Sequence, residues 1–79
     1  MEMKRCLLHK SKLEDFKSFL IKEQFQYRNG KGQFQVLQVE VRGDWIPIYD
    51  RLSGDHFTTQ KELIPLIRNY LRERNEHSN

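Results

Sequence analysis

Apolar residues recur at helical spacing in two stretches, one near each end of the chain. In the first stretch Leu13, Phe16 and Leu20 are three to four residues apart, with Phe19 at the rim, which predicts a helix over about 12–24. In the second stretch one apolar stripe predicts the last helix, and it consists of Leu63, Leu66, Ile67, Tyr70 and Leu71.

The starts of both helices carry capping signals. Ser11 with Glu14, and Thr59 with Glu62, have the spacing of a capping box, in which two side chains bind free backbone N–H groups. Pro65 is awkward inside a helix, so it predicts either a kink in the first turns or a start near Ile64.

Between the helices, alternating apolar and polar residues predict strands at about 25–28, 33–42, 45–49 and 55–58. Asn29-Gly30 favours a two-residue hairpin turn, although Gly32 leaves an open loop as the alternative. The next turn, at 42–45, has a two- or four-residue loop that pairs Val41 with Ile46 and Val39 with Ile48. Pro47 favours the longer loop, which points its nitrogen away from the partner strand.

The resulting fold class is α+β: a two-layer sandwich with a three- or four-stranded antiparallel meander and both helices on one face, in the order α-β-β-β-α. Residues 1–79 form a single small domain, with an N-terminal segment (1–10) of uncertain structure and a frayed tail at 75–79. The face toward the helices is predicted to contain Leu37, Val39, Val41, Ile46, Ile48 and Phe57.

This element order resembles that of double-stranded-RNA-binding domains. The Gly-Pro-x-His loop of those domains and their lysine-rich start of the last helix are missing here, where the corresponding stretch reads "TTQKELIPLIRNY". The RNA-binding residues of that family are therefore not carried over, because element order alone does not give function.

The other face of the sheet is unusual because large side chains alternate with the core residues. It is predicted to carry Gln38, Glu40, Arg42, Trp45, Tyr49, Arg51 and His56, with Phe34 and Val36 at the same parity. Such a face suits base stacking, and Trp, Tyr and Arg are equally the residues enriched in protein interfaces. A strand or lid from residues 3–8, or a second copy of the chain, would be alternative covers for it.

Charge adds a second candidate surface. The formal charge is +3, and residues 1–31 contain eight Lys or Arg and four acids. On the last helix Lys61, Arg68 and Arg72 fall within about 40° of each other at 100° per residue, where they would track a phosphate backbone or form a solvated helix face.

Several function classes lack their sequence signals. Cys6 is the only cysteine, no apolar run reaches the length of a membrane span, and no signal peptide is evident, so we expect a cytoplasmic protein without disulfides. The three histidines have no metal-site spacing, and "GKG" at 30–32 lacks the rest of a phosphate loop. We expect no enzyme, cofactor, metal or small-molecule substrate.

The sequence therefore predicts a small non-enzymatic binding module. The favoured ligand is nucleic acid, and the alternative is a protein partner, as an inhibitor or adaptor, or a homodimer through the same face. The predicted binding residues are Gln38, Arg42, Trp45, Tyr49, Arg51, Lys61, Arg68 and Arg72.

Overall fold

The computed structural model describes residues 8–51 and 54–78, and side chains as far as Arg74. The elements in chain order are β1 (Leu8–His9), α1 (Leu13–Lys22), β2 (Tyr27–Asn29), β3 (Gln35–Val41), β4 (Asp44–Tyr49), β5 (His56–Thr59) and α2 (Ile64–Ser78). No helix within this part of the chain has the length and apolar character needed to cross a membrane.

The five strands form one sheet in the order β1-β5-β4-β3-β2, and every neighbouring pair is antiparallel. Both helices cover the same face of the sheet, as predicted, because their apolar stripes need a common partner. The buried core joins the two layers and consists of Leu8, Phe16, Phe19, Leu20, Leu37, Val39, Ile46, Ile48, Phe57, Leu63, Leu66, Ile67 and Tyr70.

The N-terminal segment contributes an edge strand. Leu8 pairs with Phe57, and its side chain is buried in the core. Residues 3–7, which would complete the strand or lid considered above, lie outside the described residues. At the other end of the chain, α2 extends into the stretch expected to be a polar tail.

The β3–β4 turn corrects the predicted register by two residues. Val41 pairs with Asp44 around a two-residue turn, so Val39 faces Ile46 and Leu37 faces Ile48. Both turn residues have positive φ, 54° at Arg42 and 87° at Gly43, as a turn that matches the strand twist requires. A shift of two residues leaves the paired side chains of 37–41 and 45–48 on their predicted faces, whereas Arg42 leaves the strand for the turn.

Pro47 fits this tighter turn as well. It lies opposite Gln38, at a position where the alternation of antiparallel pairs directs its nitrogen away from β3. On its other side, the pairing between β4 and β5 begins at Ile48. The N–H that Pro47 lacks is therefore not needed for a hydrogen bond to either neighbouring strand.

The β2–β3 connection is an open loop of residues 30–34, not the two-residue hairpin favoured by Asn29-Gly30. A Cβ on Gly30 would lie 2.2 Å from the carbonyl oxygen of Gln35, so only glycine allows this close approach. After the loop, a β-bulge between Gln35 and Leu37 places Gln35 opposite Tyr49.

Neither predicted capping box forms. A 3-10 turn at Lys10–Lys12 precedes α1, and the side chain of His9, not Ser11, accepts a backbone N–H there. Thr59 is the last residue of β5, and its hydroxyl donates to the carbonyl of Pro47 at 2.7 Å. The hydroxyl is therefore bonded within the sheet and does not cap the last helix. The alternative start of the last helix at Ile64 is confirmed, with Pro65 in its first turn.

The end of α1 is closed by a pair of backbone bonds. Phe25 N–H donates to the carbonyl of Leu20 at 2.8 Å, and Gln24 N–H donates to that of Ile21 at 3.0 Å. This is the Schellman arrangement, which needs a residue with positive φ after the helix. Gln24 takes that position with φ 67°.

Because Gln24 has a Cβ in this left-handed region, replacing it with glycine should raise the free energy of unfolding by roughly 0.5–1 kcal/mol. Urea denaturation of Gln24→Gly against the wild type measures the change. Glu23→Gly is the matched control, since Glu23 has φ −87° and glycine there should destabilise the protein. Equal effects at the two positions would contradict this explanation.

The two helices are joined on their outer side by polar groups around Tyr70. Its buried ring packs edge-on against Phe16 and Phe19, and its hydroxyl donates to Asp15 at 2.6 Å. Arg74 donates to both oxygens of the same carboxylate, at 2.6 and 3.1 Å. The hydrogen bonds from Arg74 and Tyr70 lower the pKa of Asp15, while burial and the bond to Asp15 raise the pKa of Tyr70 to about 12.

These shifts predict losses of stability at both ends of the pH range. The Asp15 contribution is present above the carboxyl's unfolded pKa of about 3.9 and is lost as pH falls below it. The Tyr70 contribution is present below about pH 10 and is lost as pH rises toward 12. Tyr70→Phe should lower the free energy of unfolding at pH 7 by about 1 kcal/mol and remove the loss between pH 10 and 12, as urea denaturation across pH would measure. A loss of the same size in the variant would contradict the assignment.

Candidate functional site

The sheet face away from the helices, here called the open face, has no helix over it in the described part of the chain. The strand registers place on it residues from all five strands: His9, Arg28, Gln35, Gln38, Glu40, Trp45, Pro47, Tyr49, His56 and Thr58. Five residues predicted for this face lie there: Gln38, Glu40, Trp45, Tyr49 and His56.

A stacked pair of side chains, one from β2 and one from β4, lies on the open face. The guanidinium carbon of Arg28 lies 4.0 Å from the ring centre of Trp45, which is the distance of a cation–π contact. Arg28 comes from the edge strand β2 and is exposed, whereas Trp45 is half-buried on the central strand β4. The pair therefore combines a fixed aromatic surface with an accessible cation.

Two glutamines hold this cation in place. Arg28 donates through Nε to the side-chain oxygen of Gln38 at 2.6 Å. The amide of Gln38 in turn donates to Gln35 Oε1 at 2.8 Å. Gln38 is only 6% exposed although it is polar, so its two hydrogen bonds are what make its burial tolerable. The backbone N–H of Lys31 also donates to Gln35, which ties the β2–β3 loop into the same network.

Tyr49 and Arg51 lie toward the other end of β4. Tyr49 is half-buried, and its hydroxyl accepts a hydrogen bond from Gln60 at 3.3 Å. The intervening Asp50 pairs with Lys10 at 3.0 Å. Arg51 is exposed and follows the end of β4, so it does not belong to the strand.

Arg42 does not lie beside Trp45 as predicted. It occupies the two-residue turn and lines a groove of about 460 Å³ between that turn and the start of α2. Lys61 lies at the same groove, with Asp44 and Glu62 supplying negative charge and Phe25, Val41, Ile46 and Leu66 among its apolar lining. The correction follows from the tighter turn, which takes Arg42 out of the strand pattern.

The cations of the last helix lie on the opposite side of the molecule from Trp45. Arg68 and Arg72 are exposed on α2, whose apolar stripe faces the sheet core. Arg72 also donates to the side chain of Asn69. Lys61 precedes α2 in a 3-10 turn, so the predicted angular alignment at 100° per residue does not extend to it. The eight predicted residues thus belong to at least two separate surfaces.

Arg28 and Gln35 belong to the open face but were not among the predicted residues. In β2 the side chains of Tyr27 and Arg28 point to opposite faces of the sheet. This alternation would have placed Arg28 on the open face if the length of the following loop had been known. Gln35 reaches the face only because of the bulge, which no residue type in the stretch signals.

Charges on the open face are balanced. Within the described strands it carries one Arg, Arg28, and one acid, Glu40, which lies opposite Trp45. Among residues 8–51 and 54–74, no group of three or more His, Cys, Asp or Glu side chains is arranged to hold a metal ion.

Comparison with known proteins adds no assignment: no family model, no curated protein and no solved structure matches the chain significantly.

Proposed function

We propose that the chain is a protein-binding module whose interface is the open face, centred on the stacked side chains of Arg28 and Trp45. The observation that carries this proposal is the 4.0 Å stack held by Gln38. The few residues that contribute most of the binding energy in protein interfaces are enriched in Trp, Tyr and Arg. Side chains that are already fixed before binding lose less conformational entropy when a partner arrives.

The same geometry describes the chemistry of the partner. A guanidinium has five N–H donors, and the bond to Gln38 uses one of them. A partner surface that offers a carboxylate or carbonyl to Arg28 and an apolar side chain to Trp45 would match the pair. The polar neighbours Gln35, Thr58 and Tyr49 would form the rim, as in many protein interfaces.

Affinity capture from the cells that make the protein tests this proposal. Arg28→Ala should lose the captured partner, because it removes both the cation and its contact with Trp45. Arg68→Ala is the matched control: it removes another exposed arginine, one that lies on the helix layer, and should retain the partner. A partner that is lost with Arg68→Ala and retained with Arg28→Ala would overturn the assignment of the interface.

A second candidate function is binding of single-stranded nucleic acid through the same face. The Arg28–Trp45 stack favours it, because guanidinium planes and aromatic rings both accept bases, and Gln35 and Gln38 carry amides of the kind that bind base edges. The position of Arg68 and Arg72 on the helix layer counts against it. A nucleic-acid strand bound to the open face could not place its phosphates against these two cations.

Fluorescence of Trp45 discriminates the two candidates, since it is the only tryptophan. Nucleic-acid binding predicts that single-stranded oligonucleotides quench its emission, with an affinity that falls steeply as salt rises. The protein-binding proposal predicts that neither single-stranded nor duplex oligonucleotides change the emission at low or moderate salt.

A further inference from the structure

We infer that His9 and His56 form a two-histidine site for a divalent transition-metal ion, of the Zn²⁺, Ni²⁺ or Cu²⁺ class, at the edge of the sheet. Both histidines lie on the open face, on the edge strand β1 and its neighbour β5, at the far side of the sheet from β2; metal binding there does not depend on the proposed protein binding. The site joins β1 to β5, two strands that are far apart in sequence, and sequence spacing therefore gives no sign of it.

The geometry of the two rings suits a shared ion. His9 and His56 are directly opposite each other in the β1–β5 register, and their ring centres are 4.9 Å apart with planes at 82°. Imidazole nitrogens bind Zn²⁺ at about 2.0–2.1 Å, so two rings on one ion at a near-tetrahedral angle have centres about 5 Å apart. The separation of the ring centres is close to that value, and both residues are exposed to solvent. The rings are packed edge to face, so they must turn to direct a nitrogen from each ring at one ion.

Ser11 contacts the ring of His9 through two groups. Its hydroxyl oxygen lies 2.8 Å from His9 Nδ1, and its backbone N–H donates to the same nitrogen at 3.1 Å. Without an ion, that N–H bond favours the proton on Nε2. Ion binding at Nε2 requires the proton on Nδ1, so the bond from the Ser11 N–H has to break, and the Ser11 hydroxyl then accepts the Nδ1 proton.

The neighbouring charges leave the site open to a cation. Lys10 follows His9, but its ammonium is paired with Asp50 at 3.0 Å. Asp55 precedes His56, and its backbone carbonyl accepts the N–H of Lys10 at 2.8 Å. Within the described part of the chain no third His, Cys, Asp or Glu joins the pair, so the remaining coordination positions are open to water or to a further donor, which makes the ion exchangeable.

Metal titration of the full chain tests the inference. After treatment with a chelator, the protein is titrated with ZnCl₂ and, separately, NiCl₂ near neutral pH, while the imidazole C–H signals are followed by NMR. We expect the signals of His9 and His56 to shift or broaden together. The ion should also raise the melting temperature, since the paired site exists only in the folded chain.

Variants separate a shared site from independent surface histidines. His9→Ala and His56→Gln should each weaken binding by about tenfold or more. Circular dichroism of each variant checks that it is folded. Wild-type affinity in either single variant would overturn the inference.

Discussion

Replacing Gly30 with alanine should lower the free energy of unfolding by about 2–3 kcal/mol. The added Cβ would lie 2.2 Å from the carbonyl oxygen of Gln35 and 2.4 Å from its carbonyl carbon. These are backbone atoms, so no side-chain rotation relieves the clash, and the loop must move. Because Gln35 and Lys31 belong to the network that holds Arg28, the movement should also disturb the open face.

Urea denaturation measures this effect, and Gly32→Ala is its control. Gly32 lies in the same loop with φ 72°, and a Cβ added there would have no atom within 4 Å, so alanine should cost only about 1 kcal/mol from backbone strain. Equal costs at Gly30 and Gly32 would mean that the close approach to Gln35 contributes nothing.

Replacing Trp45 with alanine should weaken binding of the captured protein partner by about thirtyfold or more, the effect expected of a central interface residue. The change removes the aromatic surface and also leaves Arg28 without the ring over which it stacks. Calorimetric titration with the partner measures the loss in affinity, and Trp45→Phe should recover much of it because a ring remains.

Arg72→Ala provides the comparison for Trp45→Ala, since Arg72 lies on the helix layer and should leave the affinity unchanged. Thermal unfolding of each variant shows whether a loss of affinity reflects a loss of folded protein. If Arg72→Ala weakens binding as much as Trp45→Ala does, the partner contacts the helix layer and the proposed interface is wrong.

The layers of the fold could be predicted from the sequence because they depend only on periodicity. Leu37 and Val39 alternate with polar residues, and the stripes of the two helices repeat at 3.6 residues, so the core face follows directly. Even an error of two residues in the β3–β4 register left Trp45 and Tyr49 on the open face, because strand parity survives any even shift.

The parts that could not be predicted depend on loops and on pairing between distant segments. Arg42 has a positive φ in the turn although it is not a glycine. Residue preferences do not indicate such a conformation for arginine. The length of the 30–34 loop and the bulge after it decide that Arg28 and Gln35 meet Trp45 and Gln38. The pairing of His9 with His56 arises only when the chain closes the sheet at its far edge.

Position-resolved photocrosslinking tests the central claim, that the open face is the binding surface, most directly. A photoreactive benzoylphenylalanine is placed at Tyr49 on the open face in one protein and at Arg72 on the helix layer in another, and each is irradiated in the cells that make the chain. The proposal predicts a discrete protein adduct from position 49 that disappears when Arg28→Ala is added, and none from position 72. A discrete adduct from position 72 alone would contradict it.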